Sequence, residues 1–523
     1  MKGKRVAGVS SSDRFLDAGR NPQRKQSTTG TSLIRETPIQ TESPTPLPPG
    51  SLSTGTGLPS PPSSNDNEQG EIYEDKEELQ LLDDGTPGIT ESFEHEVKTA
   101  PLFTRDAKLP AGFCPHKSQY GLLGSLIGIR DKTRTEVQVD PRLYVNTNAP
   151  FSAIICGVQG SGKSHTVSVL LENMMVPNCK PLGSLEKPLA GLVLHFGTGG
   201  DNCLPCEAAW LTKPKYHGVQ VPPVRVYVSR SVLNRMRRIY APLGENITVE
   251  PLLFTEDELD AQAFLSMMAV ESSESAPLYM QVFLSILREL GEDYTYSRFL
   301  KRLEAQCEEF SRIQRAHLDQ RMALLNLFTS TEPHVRPRFV PGQLTIVDLS
   351  DPFIDPTSAC GLFEIVTRIF TRADIGKAGK VLLVDEAHKY LSASEGLAEA
   401  LLSLSRQMRH YGMRVIISSQ EPTVVPPVLL DLCSVAFMHR FSSQSWWDHV
   451  SKHFSADLSS AFDEIVRLKT GQAIVLAPSA LAMLRKPDQP ASDPKLFQLG
   501  RRYMLVKIRK RVTKDGGASI LVV

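Results

Sequence analysis

The sequence lacks an excess of charge of either sign. Its 58 Lys and Arg residues balance 58 Asp and Glu residues, so net charge indicates neither a nucleic-acid nor a membrane partner, and any such surface has to be local. No apolar run reaches the length of a membrane span, and the basic start MKGKRVAGVSSSDR is not followed by the apolar stretch of a secretory signal. The 8 cysteines are scattered, as is typical of reduced thiols inside cells. These absences predict a soluble protein of the nucleus or cytoplasm without a membrane partner.

The first part of the chain has few of the large apolar residues that a core requires. Segment 37–66 consists mainly of Pro, Ser, Thr and Gly, and segment 68–97 is strongly acidic. Chains of this composition bury too little apolar surface to offset the entropy of ordering. We predict a disordered arm over residues 1–109, which is either a plain solvated tail or a regulatory docking segment.

From residue 110 onward, short apolar β-branched runs alternate with longer helical patterns. Runs such as VLLV and RVIIS are apolar throughout, as expected of strands that are buried on both faces. The alternation predicts an α/β domain over residues 110–480, with a mainly parallel sheet flanked by helices. A helical insertion is predicted over about 257–330, and residues 481–523 are predicted to form a basic C-terminal extension.

The stretch 157–164 reads GVQGSGKS and fits the phosphate-binding pattern G-x-x-x-x-G-K-[ST]. An apolar strand precedes it and a helix follows it. The glycines let backbone N–H groups approach phosphate oxygens, Lys163 places a charge on the β- and γ-phosphates, and Ser164 offers a hydroxyl to Mg²⁺. ATP or GTP binding follows, and the predicted nucleotide-binding residues are Gly157, Gly160, Ser161, Gly162, Lys163, Ser164 and His165.

A second apolar strand, over 381–386, ends in two acids. Asp385 is predicted to hold the metal shell and Glu386 to act as the base that polarises the attacking water. The alternative interpretation is an ordinary strand whose aspartate caps the following helix. With the phosphate-binding turn upstream, the first interpretation is favoured, and it predicts a RecA-like (ASCE) P-loop NTPase core that uses ATP and Mg²⁺.

The acids belong to the string Asp385-Glu386-Ala387-His388, the letters that name a class of helicases. A helicase of that class has a shorter spacing between its phosphate-binding turn and these letters, and it has a second motor domain. Residues 389–523 leave no room for a second motor domain of ordinary size. We therefore interpret the string as a metal-binding strand end that happens to be followed by Ala and His.

Four stretches together resemble the HerA/FtsK superfamily of P-loop ATPases, in the branch of HerA-like DNA translocases and conjugation ATPases. They are CGVQGSGKSHT, LTIVDLSDP, VLLVDEAHKYL and RQMRHYGMRVIISSQEPTVVPPVLLDLCSVAFMHRF. The resemblance covers roughly residues 145–480, and its details are most similar to eukaryotic, fungal-type members. It departs from prokaryotic HerA-like translocases, which carry an N-terminal β-barrel for which residues 110–150 supply only a few strands.

The resemblance implies a sensor strand over 415–420 that ends in Gln420, beside the γ-phosphate. It also implies a ring, most simply a hexamer, in which a neighbouring subunit supplies an arginine finger. Arg406, Arg409 and Arg440 are candidates, and Arg440 and Arg409 are favoured as catalytic residues. The implied activity is translocation of double-stranded DNA. The alternative is an ATP-gated switch or scaffold with slow turnover.

Two further patterns remain open. Cys203 and Cys206 form a C-x-x-C, but a zinc site needs about four ligands, and His195 and Cys179 are weak additions, so we interpret the pair as non-metal. The basic tail 500–514 is either a phosphate-binding surface or an edge strand whose charges resist aggregation.

Overall fold

The computed structural model describes residues 91–517, apart from short segments at 109, 114–117, 132–133, 201–202, 268–277, 308–309, 333, 335, 455–460 and 485–493. Residues 1–90 of the predicted disordered arm lie outside the described residues. Within the described part, no helix combines the length and apolarity that crossing a bilayer requires.

The strands, in chain order, are β1 Leu102–Thr104, β2 Tyr120–Arg130, β3 Thr135–Glu136, β4 Arg142–Asn146, β5 Ser152–Cys156, β6 Gly183–Ser184, β7 Ala190–His195, β8 Val224–Val228, β9 Ile247–Pro251, β10 Leu344–Asp348, β11 Lys380–Val384, β12 Met413–Ser419, β13 Val435–Met438, β14 Gln472–Leu476, β15 Leu481–Leu484, β16 Lys495–Gln498 and β17 Tyr503–Ile508.

The α-helices are α1 Glu91–Thr99, α2 Lys163–Met175, α3 Leu233–Tyr240, α4 Ala261–Met267, α5 Leu278–Leu290, α6 Tyr296–Gln306, α7 Arg312–Leu327, α8 Pro356–Arg372, α9 Glu395–Gln407, α10 Pro427–Asp431, α11 Gln444–Ser451 and α12 Ala461–Arg467.

The centre of the fold is a parallel block of strands in the order β9-β8-β10-β7-β11-β12-β5-β13. Strand β12 lies between β5, which leads into the phosphate-binding turn, and β11, which leads into the two acids. Because parallel strands share a direction, their carboxyl ends meet at one edge of the sheet. The predicted mainly parallel α/β fold is confirmed.

Helices cover both faces of this block, which explains the uninterrupted apolar strands. On β5, Ile154 packs into a core shared with α4 to α9, whereas Ala153 and Ile155 pack into a core shared with α2 and α3. Successive side chains of a strand point to opposite faces, so each face needs its own apolar set. Residues 257–330, predicted as a helical insertion, contain α4 to α7 on the first face. Within it, α6 and α7 are separate helices, and Ser311 caps the start of α7.

The C-terminal region is not an extension. Strand β17 lies between β14 and β2, antiparallel to both, and it carries the sheet from the parallel block into the antiparallel strands β2, β4 and β1. Because β17 has a partner strand on each side, the edge-strand alternative for the tail 500–514 is wrong for its described residues. The alternation Met504, Val506, Ile508 buries one face of β17, and the neighbouring basic residues hid that pattern.

The predicted disordered arm is also wrong for residues 91–108. Helix α1 and strand β1 bury Val97, Ala100 and Phe103 against Tyr120 and Tyr144. Phe103 stacks on Tyr144 with ring centroids 5.5 Å apart. Glu96 is exposed beside the buried Val97, so composition concealed a short apolar stripe that a neighbouring part of the fold completes.

Candidate functional site

The phosphate-binding turn joins β5 to α2 at the carboxyl edge of the sheet. Gly157, Gly160 and Gly162 have φ values of 148°, 72° and 114°, a region that L side chains rarely adopt. A Cβ on Gly157 would lie 2.7 Å from the Cβ of His439, so the turn also requires glycine for space. The result is a loop whose backbone N–H groups lead into the positive end of a helix.

Residues outside the phosphate-binding turn support it through hydrogen bonds. His439, at the end of β13, is fully buried, and its Nε2 lies 2.9 Å from Thr166 Oγ1 while its Nδ1 lies 2.8 Å from the carbonyl of Gln472. Burial lowers the pKa of His439 to about 4. Gly471 donates its N–H to the carbonyl of Ser161 at 3.0 Å. These contacts fix the loop before any ligand binds.

Lys163 is buried, and its ammonium donates to the carbonyl of Val158 at 3.1 Å. Burial lowers the pKa of Lys163, and the carboxylates of Glu386 and Asp385 partly oppose that effect. Lys163 follows β5 and the acid pair follows β11, and β12 lies between these strands, so the ammonium and the carboxylates lie at the same carboxyl edge of the sheet. Ser164 is exposed at the start of α2, and His165 Nε2 lies 2.7 Å from the carbonyl of Arg509.

Asp385 follows β11 and is oriented by neighbouring groups. Its Oδ2 lies 3.2 Å from His195 Nδ1, at the end of the adjacent strand β7. Its carbonyl accepts a hydrogen bond from the buried Tyr390 hydroxyl at 3.0 Å. Burial by itself lowers the pKa of His195, but Cys206 and Asp385 outweigh it and hold that pKa well above its ordinary value.

Glu386 adopts a left-handed backbone conformation, with φ 50°, which is uncommon for a residue other than glycine. Its Oε2 accepts a hydrogen bond from Gln420 Nε2 at 3.1 Å. Backbone strain of this kind is found at functional sites more often than elsewhere. The turn brings the predicted base and the predicted sensor into direct contact.

Two residues that sequence reasoning missed complete this contact. His388 Nε2 lies 3.5 Å from Glu386 Oε2, and its Nδ1 accepts the N–H of Gln420 at 3.4 Å. Burial lowers the pKa of His388. Lys389 Nζ lies 3.4 Å from the same Glu386 oxygen. His388, the last residue of the helicase-like string, thus holds the sensor strand against Glu386. Its position next to the two acids was the only signal in the sequence for this contact.

The favoured arginines lie at opposite edges of the sheet. Arg440 is exposed immediately after β13, and its carbonyl accepts the N–H of Val158, so it borders the phosphate-binding turn of its own chain. Arg409 is exposed in the turn before β12, at the amino edge of the sheet. Arg406 is also exposed, near the end of α9. Arg409 and Arg406 are therefore remote from their own chain's site, and a role in a neighbouring subunit stays a prediction.

No family model and no curated protein matches the chain. Similar solved structures include VirB4 of Thermoanaerobacter pseudethanolicus, with TM-score 0.41, 14% identity and coverage of 74% of this chain and 97% of that one. They also include the genome packaging NTPase B204 of Sulfolobus turreted icosahedral virus 2 in complex with AMP, with TM-score 0.24, 11% identity and coverage of 62% and 91%.

The cytoplasmic domain of the Type VII secretion ATPase EccC of Thermomonospora curvata has TM-score 0.30 and 12% identity, and the match covers 76% of this chain but 29% of that one. At these identities the similarity concerns the fold alone. The resemblance to HerA/FtsK-type ATPases rests on the four sequence motifs.

Proposed function

We propose that the chain is a Mg²⁺-dependent ATP hydrolase. The observation that carries the proposal is the position of Lys163 and the acid pair at one carboxyl edge, after strands β5 and β11 that flank β12, with Gln420 hydrogen-bonded to Glu386 at 3.1 Å. A bound triphosphate with its γ-phosphate at Lys163 reaches the strand end that carries Glu386. In-line attack by water needs this arrangement of a phosphate-binding charge and a base.

Each residue of the site has its own role in phosphate binding or hydrolysis. The turn 157–164 binds the phosphates, and Lys163 offsets the charge that develops on the γ-phosphoryl group. Glu386 accepts a proton from the attacking water, and Gln420 orients Glu386 and senses the γ-phosphate. Arg440, next to the same turn, and Arg409, presented to a neighbouring subunit, are the candidates for a transition-state guanidinium, whose fixed planar charge suits spread anionic charge.

The donor set fits magnesium. Mg²⁺ prefers hard oxygen ligands, few of them from the protein, and Ser164 offers an exposed hydroxyl while Asp385 offers a carboxylate that His195 orients. Ser164 and Asp385 are thus the residues that would hold the ion. When bound, it supplies neutralisation of charge on the β- and γ-phosphate oxygens.

The favoured output is force on double-stranded DNA by a hexameric ring. Support for it is the resemblance of the four motifs to HerA/FtsK-type motors, together with two exposed arginines at opposite sheet edges, one of which can serve a neighbour's site.

A second candidate, an ATP-gated switch with slow turnover, is favoured by one specific observation. The Glu386 carboxylate already has Gln420, His388 and Lys389 as partners, and a base held in this way is not free to activate water. On that interpretation ATP binding, rather than repeated hydrolysis, changes the shape of the protein.

The test is a steady-state ATPase assay of the full chain with Mg²⁺, with and without long double-stranded DNA, beside native mass spectrometry with ATP. Lys163→Ala removes phosphate binding, and Arg372→Lys, far from the turn, is the matched control that keeps wild-type turnover. Turnover that DNA stimulates at least tenfold supports a motor. Tight nucleotide retention with no stimulation supports the switch. Turnover that survives Lys163→Ala contradicts both candidates.

A further inference from the structure

Three potential metal ligands from distant parts of the sequence meet beside the acid pair. The ligand atoms of His195, Cys206 and Asp385 all lie within 4.8 Å of one another. Cys206 lies in the loop that follows β7. It is the second cysteine of the C-x-x-C pattern, which the sequence analysis interprets as non-metal. The tertiary structure supplies the histidine and the carboxylate that the sequence spacing did not show.

The separations are close to those of a tetrahedral site. Ligand atoms around a zinc ion with bonds of about 2.0–2.3 Å lie roughly 3.3–3.8 Å apart. His195 Nδ1 and Asp385 Oδ2 are 3.2 Å apart, which already meets this requirement within the usual tolerance. The separations that involve Cys206 Sγ are at most 4.8 Å.

The cluster is also held in position by a second layer of hydrogen bonds. The backbone N–H of Cys206 donates to the hydroxyl of Tyr240 at 3.0 Å, and that hydroxyl donates to Asp348 Oδ2 at 2.6 Å. Outer contacts of this kind orient the first ligands of a metal. The side chains of His195 and Asp385 keep 14% and 12% of their surface exposed, so solvent and an ion can reach them.

The donor types select the ion. Mg²⁺ and Ca²⁺ take oxygen ligands, whereas a thiolate with an imidazole favours zinc and related soft or borderline cations. The other thiol of the loop, Cys203, is half-buried and does not belong to the cluster of three ligand atoms, so the proposed site has three protein ligands. Three protein ligands and one open position are common for zinc outside purely structural sites.

We propose that Cys206, His195 and Asp385 form a binding site for a zinc-type divalent cation. Binding releases the thiol proton of Cys206, and any second proton on His195, to solvent, and forms three bonds from sulfur, nitrogen and oxygen to the ion. The occupied site engages the Asp385 carboxylate, which the proposed function assigns to Mg²⁺. The cation is therefore an inhibitor of hydrolysis, a consequence that rests on the proposed function, whereas binding itself does not.

Binding is tested without nucleotide by titrating the reduced full chain with Co²⁺, whose thiolate bond gives a charge-transfer absorption in the near ultraviolet. We expect one equivalent to produce the band, and one equivalent of Zn²⁺ to abolish it by displacement. Cys206→Ser and His195→Gln each weaken Co²⁺ binding at least tenfold. Cys179→Ser, which changes a half-buried thiol elsewhere, leaves both band and affinity unchanged.

Folding of each variant is checked by circular dichroism and thermal unfolding, and because Ser is nearly isosteric with Cys, Cys206→Ser is expected to fold. No thiolate band in the wild-type protein overturns the proposal. A band that survives Cys206→Ser, or is lost in Cys179→Ser, does so too.

Inhibition is measured separately as ATPase activity against free Zn²⁺. We expect the wild-type protein to be inhibited at the Zn²⁺ concentration that displaces Co²⁺ and to recover with chelator and Mg²⁺. We expect Cys206→Ser to show at least tenfold lower Zn²⁺ sensitivity, measured relative to its own turnover without Zn²⁺. If the chain proves not to hydrolyse ATP, the Co²⁺ titration still decides the metal site, so the two failures are distinguishable.

Discussion

Replacement of Glu172 by Gln tests whether the segment that follows β17 stabilises helix α2, which begins at the phosphate-binding turn. Glu172 lies on α2, one end of which is the phosphate-binding turn, and its side chain is fully buried. Its Oε2 accepts from Arg509 Nη1 at 2.6 Å. Its Oε1 accepts from the N–H groups of Val512 and Thr513 at 3.0 and 2.9 Å, and from the Thr513 hydroxyl at 2.7 Å.

The expected loss of folding stability in Glu172→Gln follows from the contacts that the glutamine side chain cannot make. The amide oxygen still accepts the backbone donors, but the amide NH₂ faces a guanidinium, so Arg509 loses its counter-charge at a side-chain exposure of 9%. Loss of one partner of a buried ion pair costs about 3–5 kcal/mol. Arg509 keeps hydrogen bonds to the carbonyl of Leu122 at 2.7 Å and to Asn173 Oδ1 at 2.9 Å, so we expect the lower end of that range, about 3 kcal/mol.

The assay is urea unfolding of the full chain, followed by circular dichroism, for Glu172→Gln, Arg509→Met and the double variant. In the double variant no charge is left unpaired, so its loss of stability is smaller than the sum of the single losses by about 2 kcal/mol, within the usual range for groups in contact. The matched control is Glu289→Gln, because Arg302 and Glu289 form an ion pair of 3.1 Å with side-chain exposures of 57% and 50%. That exposed pair contributes about 0.5 kcal/mol or less.

The reasoning is refuted if Glu172→Gln lies within about 1 kcal/mol of the wild-type protein or if the cycle shows additive losses. Either result means that the segment that follows β17 does not stabilise α2 through the ion pair of Arg509 with Glu172. A stability loss without any loss of ATP affinity, in contrast, means that the turn is fixed by its other supports, His439 and Gly471.

Three further predictions concern the site. Glu386→Gln removes the base while the phosphate-binding turn stays intact, so turnover falls about 100- to 10,000-fold with ATP affinity unchanged, and an isotope-release assay that finds wild-type turnover rejects Glu386 as the base. Gly162→Ala places a Cβ 2.9 Å from the backbone of Gly471 at a φ of 114°, so calorimetry should show at least about tenfold weaker ATP binding, and an unchanged affinity contradicts the geometry of the turn. His439 has a native pKa of about 4 against about 6.5 when unfolded, so the unfolded chain binds more protons, and the free energy of unfolding falls by up to about 3 kcal/mol as pH falls from about 6.5 to 4. His439→Gln should flatten that part of the plot of unfolding free energy against pH, and an equal slope in both proteins rules the histidine out.

Local patterns predicted the parts of the molecule that depend on near neighbours in sequence. The turn 157–164 and the strands ending in Asp385 and Gln420 could be found from composition and order, because phosphate binding imposes glycine and lysine at fixed spacing and burial on two faces imposes apolar runs. The mainly parallel sheet followed from the alternation of strands and helices.

The same reasoning failed where polar residues conceal a buried stripe. Residues 91–108 and β17 were assigned to an arm and an extension because their acidic and basic residues dominate a short window. Phe103 and Val506 are nevertheless buried, since partners from other strands cover them. Burial of a strand of a few residues depends on its neighbours in the sheet, and those are not adjacent in sequence.

The order of residues alone predicted a triphosphate-binding turn, an acid-terminated strand, and helices on both faces of a parallel sheet. Only the tertiary structure decided which side chains meet there: His388 against the sensor strand, Arg509 against Glu172, and Cys206 with His195 beside Asp385. The physical reason is that spacing within one turn or strand is fixed by local backbone geometry. Contacts between distant segments depend on strand order and on how the loops pack against each other.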